Sequence, residues 1–384
     1  MIQLSNFDAG KFLRETWQKQ PLLIRNPWDS WSNPLDPDEL AGLACEPGIE
    51  SRLITQSSDR WELEHGPLPA ARFVELGKKP WTLLVQAVDH HVPAVAALLA
   101  PFRFIPNWRI DDVMVSYAVD GGGVGAHFDN YDVFLVQGLG QRRWQVGGRC
   151  DHTTPLLPHD DLRLLATFEP IDEWVLGPGD ILYVPPGFAH NGIAVGDDCM
   201  TYSIGFRAPS RGELIANWAE HIVSELEDDD RYSDPGLPVP ENPGEISADA
   251  IARLHAMVAD RMLDRSAFAR WFGEFSTTPK SQEIDWRPEQ PIGLDDLRSL
   301  VARGVPLLRN PASRFSFIRH EAGALTLLVD GRSFECSGPT ANFAENLCRW
   351  DIVSVDPDLL KSEETVALIL DLSTEGSVAF EPAG

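Results

Sequence analysis

"GGGVGAHFDNYDVF", residues 121–134, decides how this chain is read. Gly121, Gly123 and Ala126 have the G-x-G-x-x-A spacing of a dinucleotide-binding loop, which must follow a strand and open a helix. His127 and Asp129 suggest something else, half of a metal site. Context separates the two readings. "DDVMVSYAV" before the glycines is strand-like, but "HFDNYDVFLVQG" after them is rich in aromatic and β-branched residues and carries no helix cap. A loop joining two strands has no helix N-terminus for a pyrophosphate, so the phosphate reading fails. On a strand, residues i and i+2 share a face, so His127 and Asp129 can address one ion while Phe128 turns away.

One His and one carboxylate fall a single His short of the facial triad that holds Fe(II) with open positions. Among ten histidines, His190 stands out in "GDILYVPPGFAH", where a strand runs into a Pro-Pro-Gly turn that fixes its direction. His90 and His91 are neighbours and point opposite ways on a strand, which argues against a joint role. His65, His91, His152, His159, His221, His255 and His320 are read as surface or packing residues.

Composition sets the frame. A chain of 384 residues with 12 Trp and 18 Phe can bury a sizeable core in two or three domains. Its most apolar window, "VPAVAALLAPF", is too short to span a bilayer, and the first residues do not read as a secretory signal. Five scattered cysteines without a CxxC pair fit a reducing cytoplasm better than disulfides or a zinc site. Net charge is −26, from 58 acidic against 32 basic residues, which argues against nucleic acid as the main partner. An acidic surface can serve solubility, or it can attract a basic protein.

Three blocks are expected. Residues 1–207 are rich in Gly, Pro and short apolar runs with frequent turn signals, a mostly β domain with some early helix. Residues 208–280 turn helical: Leu214, Trp218, Ile222 and Leu226 form one stripe, and "SADAIARLHAMVADRMLDRSAFARWFGEF" reads as a second, longer helical region opened by Ser247. Their apolar faces must pack on the first domain or form a homodimer interface. Residues 281–384 mix helices with short strands in a winged-helix-like arrangement. From Asp285 onward this block holds 16 acidic residues and 9 basic ones, so it is not expected to read DNA.

The two motifs resemble those of a known family. Gly121-x5-His127-x-Asp129 and Gly179-x5-Pro185-x-Gly187-x2-His190 are similar to the two cupin metal motifs, in the form used by JmjC-type 2-oxoglutarate oxygenases. Ala194 stands where the general cupin pattern has Asn. "FLRETWQKQPLLIRN", "LEHGPL", "WTLLVQAVDHHVP" and "HFDNYDVFLVQGLGQRRWQVG" resemble bacterial ribosomal oxygenases, the arginine hydroxylases of a large-subunit (50S) ribosomal protein. The resemblance implies an α+β chain: a double-stranded β-helix (cupin/JmjC jelly roll), then a helical dimerisation domain, then a winged-helix-like C-terminal domain. It also implies Fe(II) held by His127, Asp129 and His190, with 2-oxoglutarate and O2 as co-substrates and succinate and CO2 as products.

Several further residues follow from that resemblance. The distal carboxylate of 2-oxoglutarate needs a cation deep in the barrel. By alternation along "QRRWQV", Arg142 shares a face with Trp144 and Val146, and the apolar side should face inward. Arg142 is therefore the expected cation, its fork matching a carboxylate; the family has its arginine there too. Arg143 is expected in a surface salt bridge. Ser116 and Ser203 flank the motifs and are either hydrogen-bonding partners of 2-oxoglutarate or packed strand serines. Asp120, at the expected mouth, is either a partner for a substrate guanidinium or an ordinary turn residue. The expected partner is a basic ribosomal protein. Alternatives are a histidyl hydroxylase or demethylase of another basic protein, or a non-catalytic cupin that docks on ribosomes.

Overall fold

Alternating β-branched and aromatic residues from Asp132 to Arg149 form a strand of 18 residues, and Phe188–Phe206 forms one of 19. These two strands organise the N-terminal half of the protein. The computed structural model describes residues 4–380 apart from 58, 59, 78, 160, 282 and 283. In chain order the strands of this half are β1 (Leu22–Ile24), β2 (Ser51–Ser57), β3 (Arg60–His65), β4 (Trp81–Val85), β5 (Ile110–Ala118), β6 (Asp132–Arg149), β7 (Asp172–Leu176), β8 (Ile181–Val184) and β9 (Phe188–Phe206). They pair antiparallel in the order β1-β8-β6-β9-β5-β4-β2-β3, with β7 added to β6.

Both long strands break register between Gln137 and Gln141, at Gly138 and Gly140. Gly140 has φ +57, and a Cβ there would lie 2.7 Å from the Asp198 carbonyl oxygen. Only glycine fits this bulge, which lets the paired strands turn the corner of the barrel. Beyond the corner, residues 121–127 run beside the first half of β9. Gly121 N–H donates to Ala194 O at 3.1 Å, and His127 N–H donates to His190 O at 3.0 Å. The opened motif thus borders the very strand that carries the distal histidine.

Two large apolar clusters fill most of this half, beside a small one of Ala118, Ala194 and Cys199 among the described residues. Short helices α1 (Ala9–Glu15), α2 (Pro37–Leu43), α3 (Ala70–Glu75) and α4 (Pro93–Ala96) accompany the sheet, and Phe12, Phe102, Phe134, Tyr183, Tyr202 and Phe206 form its aromatic core. A smaller cluster of Val133, Leu135, Trp144, Val146, Leu176, Leu182 and Val184 lies inside the barrel.

Helix α5 (Arg211–Glu225) is opened by a capping box of Ser210 and Glu213 and buries Trp218. The region expected as one long helix is two, α6 (Ala248–Met262) and α7 (Arg265–Thr277). Asp264 divides them, because its carboxylate caps the amides of Ser266 and Ala267. Helix α6 buries no residue, so its apolar face is not covered by the first domain. Helix α7 instead packs on the C-terminal strands, where a Cβ at Gly273 would lie 2.4 Å from a Leu328 methyl.

The remainder contains α8 (Leu294–Ala302), β10 (Leu307–Arg309), β11 (Phe315–Arg319), β12 (Leu325–Val329), β13 (Arg332–Cys336), α9 (Gly338–Arg349), β14 (Ile352–Val353), α10 (Glu363–Thr374) and β15 (Val378–Phe380). It has two three-stranded sheets and a separate core around Phe315, Leu327, Phe343 and Ile369. Helix α9 opens with Gly338 and Pro339, and Pro is at home in a first helical turn. Among the described residues no helix is long and apolar enough to cross a membrane.

Gly192 faces Trp144 across β6 and β9, and a Cβ there would come within 2.6 Å of the indole. Gly192→Ala is expected to destabilise the barrel by about 1–3 kcal/mol through overpacking. Urea unfolding followed by tryptophan fluorescence will check this, and an unchanged midpoint would contradict it.

Candidate active site

His127 enters from the segment beside β9, Asp129 follows two residues later, and His190 sits at the start of β9. Reciprocal backbone hydrogen bonds join His127 and His190, at 3.0 and 2.8 Å, and Gly187 N–H donates to Asp129 O at 2.7 Å. One potential ligand atom from each of the three side chains lies within 4.8 Å of the others. Asp129 Oδ2 is 3.8 Å from His127 Nε2 and 3.6 Å from His190 Nε2. Each imidazole has its Nδ1 2.9 Å from a carbonyl two residues earlier, Gly125 O for His127 and Phe188 O for His190. With Nδ1–H donating there, both Nε2 lone pairs turn toward Asp129. Burial lowers the His190 pKa to about 4, which keeps the imidazole neutral, the form that binds a metal.

Two neutral imidazoles and one carboxylate on one side of a point suit a divalent first-row metal with open positions. The three side chains line a cavity of about 320 Å³ in the barrel, together with Ser116, Ser203, Thr201, Tyr131 and Arg142. Arg142 is 3% exposed. Its Nε donates to Cys199 Sγ at 3.4 Å, and its Nη2 has no partner among the described residues. A buried guanidinium with no carboxylate beside it is costly unless an anion joins it. This unsatisfied fork matches a dicarboxylate entering the cavity.

The parity of β6 is as read from alternation: Arg142, Trp144 and Val146 are buried, while Arg143 and Gln145 are half-buried. Arg143 makes no ion pair among the described residues, so the surface salt bridge expected for it is not found. It lies in the middle of a three-strand ladder, between Val175 and Ile193, where no acid is opposite.

Ser116 and Ser203 both line the cavity. Asp120 does not. Its carboxylate accepts from Gly196 N–H at 2.8 Å, at the turn six residues beyond His190. At strand spacing that is about 20 Å along β9 from His190. Besides Asp129, the acids that line the cavity are Glu50, Asp111 and Asp112. Tyr131 and Thr201 were missed although i, i+2 alternation from Asp129 and Ser203 would have found them. Asp112 carried no sequence signal, since its neighbours Gln86 and Lys280 come from distant segments.

Residues 97–214 match the JmjC domain family, and residues 257–379 match the ROXA-like winged helix. The chain is 41% identical over 298 residues to the ribosomal protein uL16 3-hydroxylase of Escherichia coli K12, covering 78% of this chain and 79% of that one. This chain belongs to the JmjC ribosomal oxygenases. A probable ribosomal oxygenase of Haemophilus influenzae is 38% identical over 268 residues, covering 68% of this ribosomal oxygenase and 66% of its relative. The X-ray structure of E. coli YcfD superposes with a TM-score of 0.90 at 35% identity, covering 99% of this chain and 100% of YcfD. YcfD in complex with cobalt and 2-oxoglutarate superposes with a TM-score of 0.87 at 34% identity, covering 99% and 100% of the two chains.

Asp120→Ala in this oxygenase is expected to weaken the turn at Gly196 by about 1 kcal/mol and to leave the KM for a protein substrate within about twofold. A large rise in KM would return Asp120 to the mouth.

Proposed function

We propose that this chain is an Fe(II)- and 2-oxoglutarate-dependent hydroxylase of an arginine residue in a large-subunit ribosomal protein. The observation that carries this reading is the open His127–Asp129–His190 cluster in one cavity with the buried guanidinium of Arg142, whose described acceptor is the Cys199 sulfur alone. In this reading His127, Asp129 and His190 hold the iron. Bound iron and 2-oxoglutarate supply an oxidant from O2, with release of succinate and CO2. The chain's own residues bind and orient. Arg142 takes the distal carboxylate of 2-oxoglutarate, with Ser116 and Ser203 as further hydrogen-bonding partners. Trp144, Val133 and Leu135 keep the site dry. Glu50, Asp111 and Asp112 line the same cavity and offer carboxylates to a basic side chain, although Arg52, Arg207, Lys280 and Arg314 already pair with them.

We further propose three units, a catalytic domain over 1–207, a helical dimerisation domain over 208–280 and a winged-helix-like domain over 281–384, in a cytoplasmic homodimer. Ile215 and Val223 on α5, with Ile251, Leu254, Met257 and Val258 on α6, leave 39–67% of their surfaces exposed. So large an apolar face on one side of two helices supports a second copy as its cover.

His127→Ala is expected to abolish succinate formation that depends on a ribosomal protein, while Arg142→Ala raises the KM for 2-oxoglutarate at least about tenfold and Arg143→Ala does not. Undiminished turnover in His127→Ala, or the reverse order for the arginines, overturns the assignments. Intact-mass comparison of ribosomal proteins from cells with and without this chain is expected to show one protein gaining a single oxygen atom. Leu254→Asp is expected to give monomers by light scattering; an unchanged mass removes α6 from the interface.

A further inference from the structure

Asp111 and Asp112 are consecutive on β5 but differ in their charge partners. Asp111 meets three cations: Arg207 Nε at 3.0 Å, Arg314 Nη2 at 3.2 Å and Lys280 Nζ at 3.1 Å. Asp112 meets one among the described residues, Lys280, at 2.8 Å. The other donors to Asp112 are neutral and belong to the barrel: Gln86 Nε2 at 2.8 Å and the Ala87 amide at 2.9 Å. Lys280 reaches over from the segment after α7, outside the barrel. Its side chain is 25% exposed against 3% for Asp112.

This asymmetry makes one bond exchangeable. If Lys280 leaves Asp112, Asp111 keeps two arginines, and Lys280 can itself stay on Asp111. Asp112 would then be a buried carboxylate without a cation, a state that strongly favours another cation arriving. Burial already pushes the Asp112 carboxyl above the usual carboxylate range, and Lys280 opposes that. Nearby Asp89, also buried, adds no cation. Among the clefts that Lys280 lines are the metal cavity, an aromatic cleft beside Trp108 and Phe272, and a cleft beside Gly48 and His91. A polypeptide approaching the metal cavity along either outer cleft passes over it.

We propose that Lys280 is a tethered counter-ion that occupies Asp112 in the free enzyme and is exchanged for the cationic side chain of the substrate. The identity of that side chain rests on the hydroxylase reading above. Lys280 is thus a specificity residue: a neutral side chain cannot displace it, and a cation enters only by outcompeting it. The device also gives the C-terminal part of the chain a role at the reaction site, because Lys280 and Arg314 lie beyond the barrel.

The test is direct binding to the full chain at pH 8.5, with N-acetyl-arginine methylamide as the probe and its citrulline analogue as the neutral control, followed by NMR titration. Lys280→Met and Lys280→Gln are each expected to bind the arginine probe about fivefold more tightly than the unmodified chain, the weight of one partly exposed ion pair. The citrulline probe should bind equally to all, and Lys280→Arg should return the original affinity. Unchanged or weaker arginine binding in both neutral variants overturns the exchange. A chain that shows no ribosomal-protein-dependent succinate formation would instead overturn the hydroxylase reading, and the titration would still report the exchange.

Discussion

Two backbone hydrogen bonds between His127 and His190 govern this site. They tie the segment after the glycines to the first residues of β9, so the separation of the two imidazoles is set by strand pairing and not by side-chain freedom. Their Nδ1 atoms repeat one local pattern, each held by the carbonyl two residues earlier. The donor set is therefore arranged before any ion arrives. Asp129 then needs only the i, i+2 alternation of its own segment to face both rings.

The depth of the cavity depends on a second constraint, the bend of β6 and β9 at Gly138 and Gly140. Without it Arg142 would continue along a flat sheet. With it, the guanidinium enters the barrel behind the metal cluster, where its only described acceptor is the Cys199 sulfur. Such a residue lowers stability in the empty protein. Its retention is intelligible if an anion is its normal companion, as in the proposed reading.

The C-terminal part is joined to the catalytic half through charge and not through a shared apolar core. Asp111 gathers Arg207, Lys280 and Arg314 from three segments, and Asn107 Nδ2 donates to Cys348 O at 2.8 Å nearby. The aromatic edge contact of Trp108 and Phe272 is the main apolar addition, with ring centroids 5.5 Å apart. This polar junction lines the metal cavity at Asp111 and Lys280, which brings residues far along the chain to the site.

Local rules made much of this legible in advance. Alternation placed His127, Asp129 and Arg142 on inward faces, and the Pro-Pro-Gly turn singled out His190, because strand parity and turn chemistry act over a few residues. Asp120 illustrates the limit. Its position before the glycines allowed either a mouth residue or an ordinary turn residue, and the pairing with β9 places its carboxylate on Gly196, six residues past His190. The region read as one long helix breaks at Asp264, whose carboxylate caps α7, a local signal that helical periodicity alone does not show. Asp112 and Lys280 lie 168 positions apart and meet only because β5 and the segment after α7 converge. The sequence by itself determined which residues could bind a metal and which face of each strand they share. Tertiary structure alone decided which acids border the mouth and which cation stands on them, since long-range pairing and domain contact have no local signature.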